Sequence, residues 1–169
     1  MRRSRRAGQT DNPRWVQGDH RELPFDAASF DLILNLFSSL GYRGEDGDRR
    51  TLAEFARVLR PGAPLVIETM HRDRLAKIYQ PRGWEPLPDG GLVVEERRFD
   101  RLAGEIETLH TLIPADGERR DFGYRIRCYT ATELAVLLRD AGFASIEVFG
   151  GWEREELTSD TRLWILART

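Results

Sequence analysis

One segment, residues 18–42, constrains the fold of this chain more than any other, because it joins an acidic loop to a long apolar run. Its sequence is GDHRELPFDAASFDLILNLFSSLGY. Only Asp31 and Asn35 interrupt the run, whose apolar members are Phe30, Leu32, Ile33, Leu34, Leu36 and Phe37. Such a run is typical of a strand in a parallel sheet that is covered on both faces. The carboxyl end of such a strand is where α/β folds place ligands, so residues 35–42 form the candidate site.

The composition excludes several classes of protein. A chain of 169 residues with 40% hydrophobic and 32% charged residues predicts one soluble globular domain with its own core. A net charge of −2 gives no reason to expect nucleic acid or an anionic membrane as a partner. No apolar run approaches the roughly 20 residues that a membrane-spanning helix needs.

Cysteine and histidine usage narrows the chemistry further. A single cysteine, Cys128, excludes an internal disulfide and is compatible with a reducing, cytoplasmic location. The three histidines, His20, His71 and His110, lie too far apart in the sequence to indicate a zinc site. No spacing of a nucleophilic triad is present either, so the sequence names neither a metal nor a catalytic residue.

The middle of the chain alternates helix and strand. Apolar residues at helical spacing predict a helix that ends at Arg60-Pro61-Gly62, and they are Leu52, Phe55, Ala56 and Leu59. A buried strand is predicted at residues 64–69, and Glu68 at its carboxyl end is either a group that orients a substrate amine or a satisfied loop carboxylate. Residues 70–91 contain three prolines and predict a loop with one short helix.

Residues 92–129 predict a three-stranded antiparallel meander, since alternating segments are separated by Gly104 and by Asp116-Gly117. A capping box then begins a helix at Thr130, with Glu133 three residues later, and Gly142 ends it. Strands at residues 145–149 and 162–167 complete the chain.

These motifs resemble the middle and late motifs of class I S-adenosylmethionine-dependent methyltransferases. The likeness rests on Gly18-Asp19, then Leu23-Pro24-Phe25, then Phe30-Asp31 at the start of a strand, and on Leu59-Arg60-Pro61-Gly62 before the next one. The segment NLFSSLGY is most similar to the branch that methylates small substrates and sugar amines. The resemblance covers residues 14–169 and implies a Rossmann-like α/β sheet, mostly parallel with the last strand antiparallel, into which the meander at residues 92–129 is inserted.

The resemblance also implies roles for particular residues. S-adenosylmethionine would contact Asp19 and His20 at its adenine end and Asn35, Leu36 and Phe37 at its methionine end. A carboxylate suits the contact with the adenine amine, because an ionised carboxylate only accepts hydrogen bonds. The alternative for Asp19 is that it caps a turn. The small-molecule substrate would contact Ser38, Tyr42, His71 and Tyr129, with His110, Arg125 and Arg127 either facing it or lying on an ordinary half-exposed sheet.

One expected part of that family's pattern is missing. The glycine-rich turn that follows the first strand, and the acidic residue after the second, do not precede Arg14, where only Gly8 occurs. Two strand–helix units would need about 60 residues, so the sequence predicts a truncated domain at residues 14–169 behind a flexible basic tail at residues 1–13, or a natural chain that is longer.

The truncation predicts an exposed sheet edge beside the strand at residues 30–36. Either a strand formed around Trp15 covers this edge or a second subunit does, which predicts a homodimer. Two functions therefore compete: a small-molecule N- or O-methyltransferase, impaired by the missing motif, and a non-catalytic methyltransferase-like module that assembles through this edge.

Overall fold

The computed structural model describes residues 13–115 and 117–169. The basic tail predicted for residues 1–13 falls outside the described residues except for Pro13. The elements, in chain order, are β1 Ile33–Asn35, α1 Gly44–Val58, β2 Pro64–Thr69, α2 Arg72–Ile78, β3 Arg82–Pro86, β4 Leu92–Asp100, β5 Glu105–Ile113, β6 Arg120–Arg127, α3 Ala131–Asp140, β7 Ser145–Phe149 and β8 Leu163–Arg168.

The first sheet has the strand order β1-β2-β8-β7. β1 pairs with β2 in parallel, whereas β8 is antiparallel to both β2 and β7. Three strands therefore run in one direction and only the last strand is reversed, which confirms the predicted sheet.

The main core lies between this sheet and helices α1 and α3. α1 begins at Gly44, five residues earlier than the polar composition of residues 44–48 suggests, whereas α3 begins at the predicted capping box, in which Thr130 and Glu133 each bond the other's backbone N–H. The fully buried residues of this core include Leu52, Phe55, Leu65, Ile67, Leu134, Leu138, Leu163 and Ile165. Their burial is the main stabilising contribution to the domain.

The second sheet is the predicted antiparallel insertion, but it contains four strands, in the order β3-β4-β5-β6, instead of three. The additional strand, β3, lies in the segment that the prolines indicated to be a loop. It is an edge strand with Pro86 at its end, a position where the missing N–H of proline is tolerated. Its pairing with β4 is a tertiary contact that no local pattern predicts.

β1 is the edge strand of the first sheet within the described residues, and this corrects two expectations. The strand at residues 30–36 is not covered on both faces, because Leu32 and Leu34 keep 46% and 55% of their surface exposed. The Trp15 segment does not fill the place beside β1: residues 14–18 form no strand, and Trp15 is 77% exposed.

The second sheet is fixed to the first at two points. The N–H of Arg127, at the end of β6, donates to the carbonyl of Gly41 at 2.9 Å. In α3, Glu133 binds the guanidinium groups of both Arg72 and Arg127. Burial alone would raise the pKa of Glu133, but hydrogen bonds from the Thr130 N–H and these two arginines lower it to about 2. The insertion is therefore held rigidly beside the loop that follows β1.

No helix within the described ranges is long and apolar enough to cross a membrane.

Candidate functional site

The acidic loop places Asp19 at the surface, where Arg21 binds it. The Arg21 side chain donates to both carboxylate oxygens, at 2.9 and 2.7 Å, and the Arg21 backbone N–H donates to one of them at 2.9 Å. The hydrogen bonds from the Arg21 side chain have the largest effect on the pKa of Asp19, and the one from the Arg21 backbone the next largest. Together they hold this pKa far below its usual range. Asp19 is therefore ionised, and Arg21 occupies the oxygens that the sequence assigned to the adenine amine.

The loop after β1 has an unusual backbone. Phe37 and Ser38 are consecutive non-glycine residues in the left-handed region, with φ of 58° and 57°. This conformation is unfavourable for residues with a Cβ and persists only where surrounding contacts impose it. The Phe37 side chain points outward and is 87% exposed.

An ion pair between a buried carboxylate and a partly exposed arginine imposes this conformation. Glu68, at the end of β2, accepts the Phe37 N–H at 2.7 Å and pairs with the Arg162 guanidinium. Arg162 also donates to the Ser38 hydroxyl at 2.8 Å, and that hydroxyl accepts the Met70 N–H at 3.0 Å. Of the two alternatives for Glu68, the geometry is that of a satisfied loop carboxylate, which braces the turn.

Asn35 supplies an unsatisfied polar atom at the same strand end. The residue is only 4% exposed, and its Oδ1 has no hydrogen-bond partner among the described residues. A buried acceptor without a partner is destabilising and rare in folded proteins. It is the kind of atom that a bound ligand satisfies.

Two neighbouring cavities open around these loops. The first, of about 240 Å³, is lined by residues that include Asp19, Tyr42 and Asp48. The second, of about 380 Å³, is more apolar and is lined by residues that include Asn35, Phe30 and Leu34. His20 and Ser39 line both. Asp19 and Asn35 thus lie in adjacent concavities that share two residues.

The other predicted contacts are placed less favourably. Leu36, Phe37 and Ser38 lie in the braced turn but line neither cavity. His71 is 1% exposed, with Nε2 3.1 Å from the carbonyl oxygen of Thr161. The Tyr129 hydroxyl is buried and donates to Asp48 at 2.7 Å. The geometry therefore brings Asp19, His20, Asn35 and Tyr42 together and gives His71 and Tyr129 no open path to a substrate.

Asp48 was missed by the sequence reasoning. It lines the first cavity, is buried, and accepts hydrogen bonds from the Tyr129 hydroxyl and the Gly41 N–H. Burial raises the pKa of Asp48, and these two bonds act against that rise. The sequence does contain a sign that Asp48 is buried, because Asp48 lies one helical turn before Leu52 on the apolar face of α1. Such a position indicates a buried carboxylate with a partner.

The residues described in the structure include no group of three or more His, Cys, Asp or Glu side chains placed to hold a metal ion.

Sequence comparisons find methyltransferases among the proteins similar to this chain. A family described as a methyltransferase domain matches residues 1–62. The chain is 30% identical over 142 residues to the chloroplastic 2-phytyl-1,4-beta-naphthoquinone methyltransferase of Arabidopsis thaliana, covering 82% of this chain and 47% of that protein. It is 34% identical over 151 residues to the mitochondrial 2-methoxy-6-polyprenyl-1,4-benzoquinol methylase of Xenopus laevis, covering 86% of this chain and 42% of that protein. The chain thus spans about half the length of these relatives.

Solved structures share the fold at lower identity. A methyltransferase of Streptomyces caelestis superposes with a TM-score of 0.77 at 21% identity, over 91% of this chain and 62% of that one. A sugar N-methyltransferase from Streptoalloteichus superposes with a TM-score of 0.64 at 19% identity, over 90% of this chain and 61% of that one. In sequence and in fold, the chain is therefore similar to the class I S-adenosylmethionine-dependent methyltransferases, which confirms the resemblance stated from its motifs.

Proposed function

We propose that this chain acts in S-adenosylmethionine-dependent methyl transfer to a nitrogen or oxygen of a small molecule. The single observation that supports this most strongly is the unpartnered, buried Oδ1 of Asn35, beside a strained turn at the carboxyl end of a sheet strand. Ligands of α/β sheets bind at such strand ends. Strained backbone of this kind concentrates at ligand sites.

The residues present fit part of S-adenosylmethionine. Asn35 Oδ1 would accept from its ammonium group, and Asp19, if released by Arg21, would accept from its adenine amine. His20, which lines both cavities, would lie between these two ends. The bound molecule would supply an activated methyl group, and the chain's own residues would orient it.

Methyl transfer of this kind depends chiefly on proximity and orientation. The Glu68–Arg162 pair serves that need, because it fixes the turn that separates the Asn35 site from the Tyr42 side of the loop. No base is assigned, because a base is needed only if the acceptor arrives protonated.

Calorimetric titration of the purified chain with S-adenosylhomocysteine tests the proposal. We expect saturable binding that Asp19→Asn weakens by about 10- to 150-fold, since a hydrogen bond to a charged group contributes roughly 1.5–3 kcal/mol. Asp31→Asn is the matched control, because Asp31 is also an exposed carboxylate paired with an arginine, Arg60, but lies outside both cavities. Absence of binding at millimolar ligand would contradict the proposal.

The exposed edge of β1 supports a second candidate, a non-catalytic module that forms homodimers. Leu32 and Leu34 are about half exposed there, and within the described residues β1 has a paired neighbour on one side only. An unpaired apolar edge is a template for association with another chain. A dimer in light scattering that Leu34→Lys converts to monomer, together with no binding of S-adenosylhomocysteine, would favour this candidate over the first.

A further inference from the structure

Four aromatic rings form a continuous surface that leads from the first cavity onto the second sheet. This aromatic wall consists of Tyr42, Tyr124, His110 and Phe122. The ring centroids of His110 and Phe122 are 4.9 Å apart with an interplanar angle of 7°, and those of His110 and Tyr124 are 5.4 Å apart. Tyr42 continues the wall, with its centroid 5.9 Å from that of Tyr124, and it also lines the first cavity.

The register of the second sheet explains why these rings meet. His110 pairs with Phe122, and Thr108 pairs with Tyr124, so the three aromatic side chains lie on one face of β5 and β6. The backbone hydrogen bond between Arg127 and Gly41 holds the end of β6 against the loop that carries Tyr42. The wall is therefore a fixed feature that joins the two sheets.

The wall is open to a ligand. Tyr42, Tyr124 and Phe122 each keep between about 38% and 52% of their surface exposed, although they contact one another. Their ring faces offer the large, rigid, apolar area on which planar rings stack.

Within the wall, His110 provides a polar atom of defined orientation. Its Nδ1 lies 3.4 Å from Oε1 of Glu95, its cross-strand neighbour on β4. The His110 side chain is 13% exposed, and among the described residues its one polar contact is that of Nδ1 with Glu95, so Nε2 can bond a hydroxyl group of a ligand.

The charges near the wall select a neutral ligand. Glu95 is already paired with Arg97 on the same strand, so its charge is compensated. An ammonium group would have to displace Arg97 to gain an ion pair, whereas a neutral ring would not. Aromatic faces with an imidazole nitrogen among them match a planar ring that bears a hydroxyl.

From this arrangement we infer that the aromatic wall binds the methyl acceptor, and that the acceptor is a neutral planar ring with a hydroxyl group, of the phenol or quinol class. The ring stacks on Phe122 and Tyr124, and its hydroxyl bonds His110 Nε2. The assignment of this ring as the acceptor rests on the proposed function, but the binding itself requires no S-adenosylmethionine.

Binding of 2-naphthol, followed by its own fluorescence in the absence of any other ligand, tests the inference. Phe122→Ala and Tyr124→Ala should each weaken binding by about three- to tenfold, the range expected for loss of one aromatic contact. Trp84→Ala is the matched control, since Trp84 is an exposed aromatic residue on the opposite face of the same sheet, and it should change nothing. Equal losses in all three variants, or no binding to the wild type, would overturn the inference.

A second measurement distinguishes binding of the ligand by His110 from a role of His110 in stabilising the sheet. His110→Phe keeps a ring in the wall but removes the nitrogen. The wild type should prefer 2-naphthol over 2-methoxynaphthalene by roughly three- to tenfold, the value of one hydrogen bond. The variant should bind both equally. A preference that survives in His110→Phe, or tighter binding of an aminosugar at the wall, contradicts the assignment, whereas failure of the calorimetric titration alone leaves it intact.

Discussion

The two loops that line the paired cavities are held in place in different ways. At Asp19 the carboxylate depends on a local contact, because its partner is Arg21, two residues away and similarly exposed, while Glu54 and Arg57 of α1 hold the chain further on, at Leu23. The loop at residues 35–42 depends on partners far along the chain: Glu68 is 31 residues from Phe37, and Arg162 is 124 residues from Ser38. The second loop is thus fixed by side chains that belong to distant parts of the fold, whereas the Asp19 carboxylate is not.

This difference indicates a division of labour at the site. A loop braced by buried groups keeps its shape without a ligand, which lowers the entropy lost on binding. A carboxylate held by one exposed ion pair can exchange that partner for a ligand at little energetic cost, because such pairs contribute little to stability. We therefore expect mutations in the two loops to affect stability and binding in opposite proportions.

The largest loss of stability should follow Gly41→Ala. Gly41 has φ of 99°, and a Cβ there would clash with the carbonyl oxygen of Arg127 and the side chain of Ile126. Strain and overpacking together should lower the free energy of unfolding by about 3 kcal/mol or more. Gly62→Ala is the control, since Gly62 also has a positive φ but no atom within 4 Å of the added Cβ. It should lose only about 1–2 kcal/mol. Urea unfolding of both variants measures the difference, and equal losses would refute the close approach.

Glu68→Gln should be the next most destabilising change, at about 2–3 kcal/mol, because it leaves Arg162 partly buried without an anion. Glu54→Gln offers a close match: Glu54 also accepts one backbone N–H, from Leu23, and pairs with one arginine, Arg57, but its side chain is more exposed, 19% against 7% for Glu68. That variant should lose about 1 kcal/mol or less. Equal urea midpoints of the two variants would mean that the Glu68–Arg162 pair does not account for the difference between the two loops.

Asn35→Leu should act in the opposite direction on stability. Removing an acceptor that has no partner should raise the free energy of unfolding by about 1 kcal/mol. The same change should weaken the binding of S-adenosylhomocysteine, because the leucine cannot accept a hydrogen bond. Thermal unfolding and calorimetry on the same sample test both effects. A loss of stability would mean that Oδ1 is already satisfied, for example by an ordered water.

The sequence predicted those elements whose signals are local. The strand at residues 64–69 followed from an apolar run, and α3 followed from its capping box and from Gly142, which has φ of 100°. What it could not predict were contacts between distant residues. Asp48 and Tyr129 are 81 residues apart, and β3 becomes a strand only because β4 lies beside it. The edge position of β1 within the described residues agrees with the predicted exposed edge, but the exposure of Leu32 and Leu34 on its face was not predicted, and neither was the absence of a strand around Trp15.

The smallest effect on stability is expected for Asp19→Asn. This variant is best compared with Glu68→Gln, because both replace a carboxylate that pairs with an arginine by an amide. The Asp19 carboxylate and its partner Arg21 are both exposed, so the urea midpoint should not change measurably. Because the pKa of Asp19 lies far below the usual range, it is ionised in the folded chain at neutral pH, and above about pH 5, where the unfolded chain is ionised too, the stability curves of wild type and variant should run parallel. Binding of S-adenosylhomocysteine should nevertheless fall. A variant that loses stability and affinity together would place Asp19 in the scaffold, whereas a loss of affinity alone means that this loop contributes to recognition without contributing to the fold.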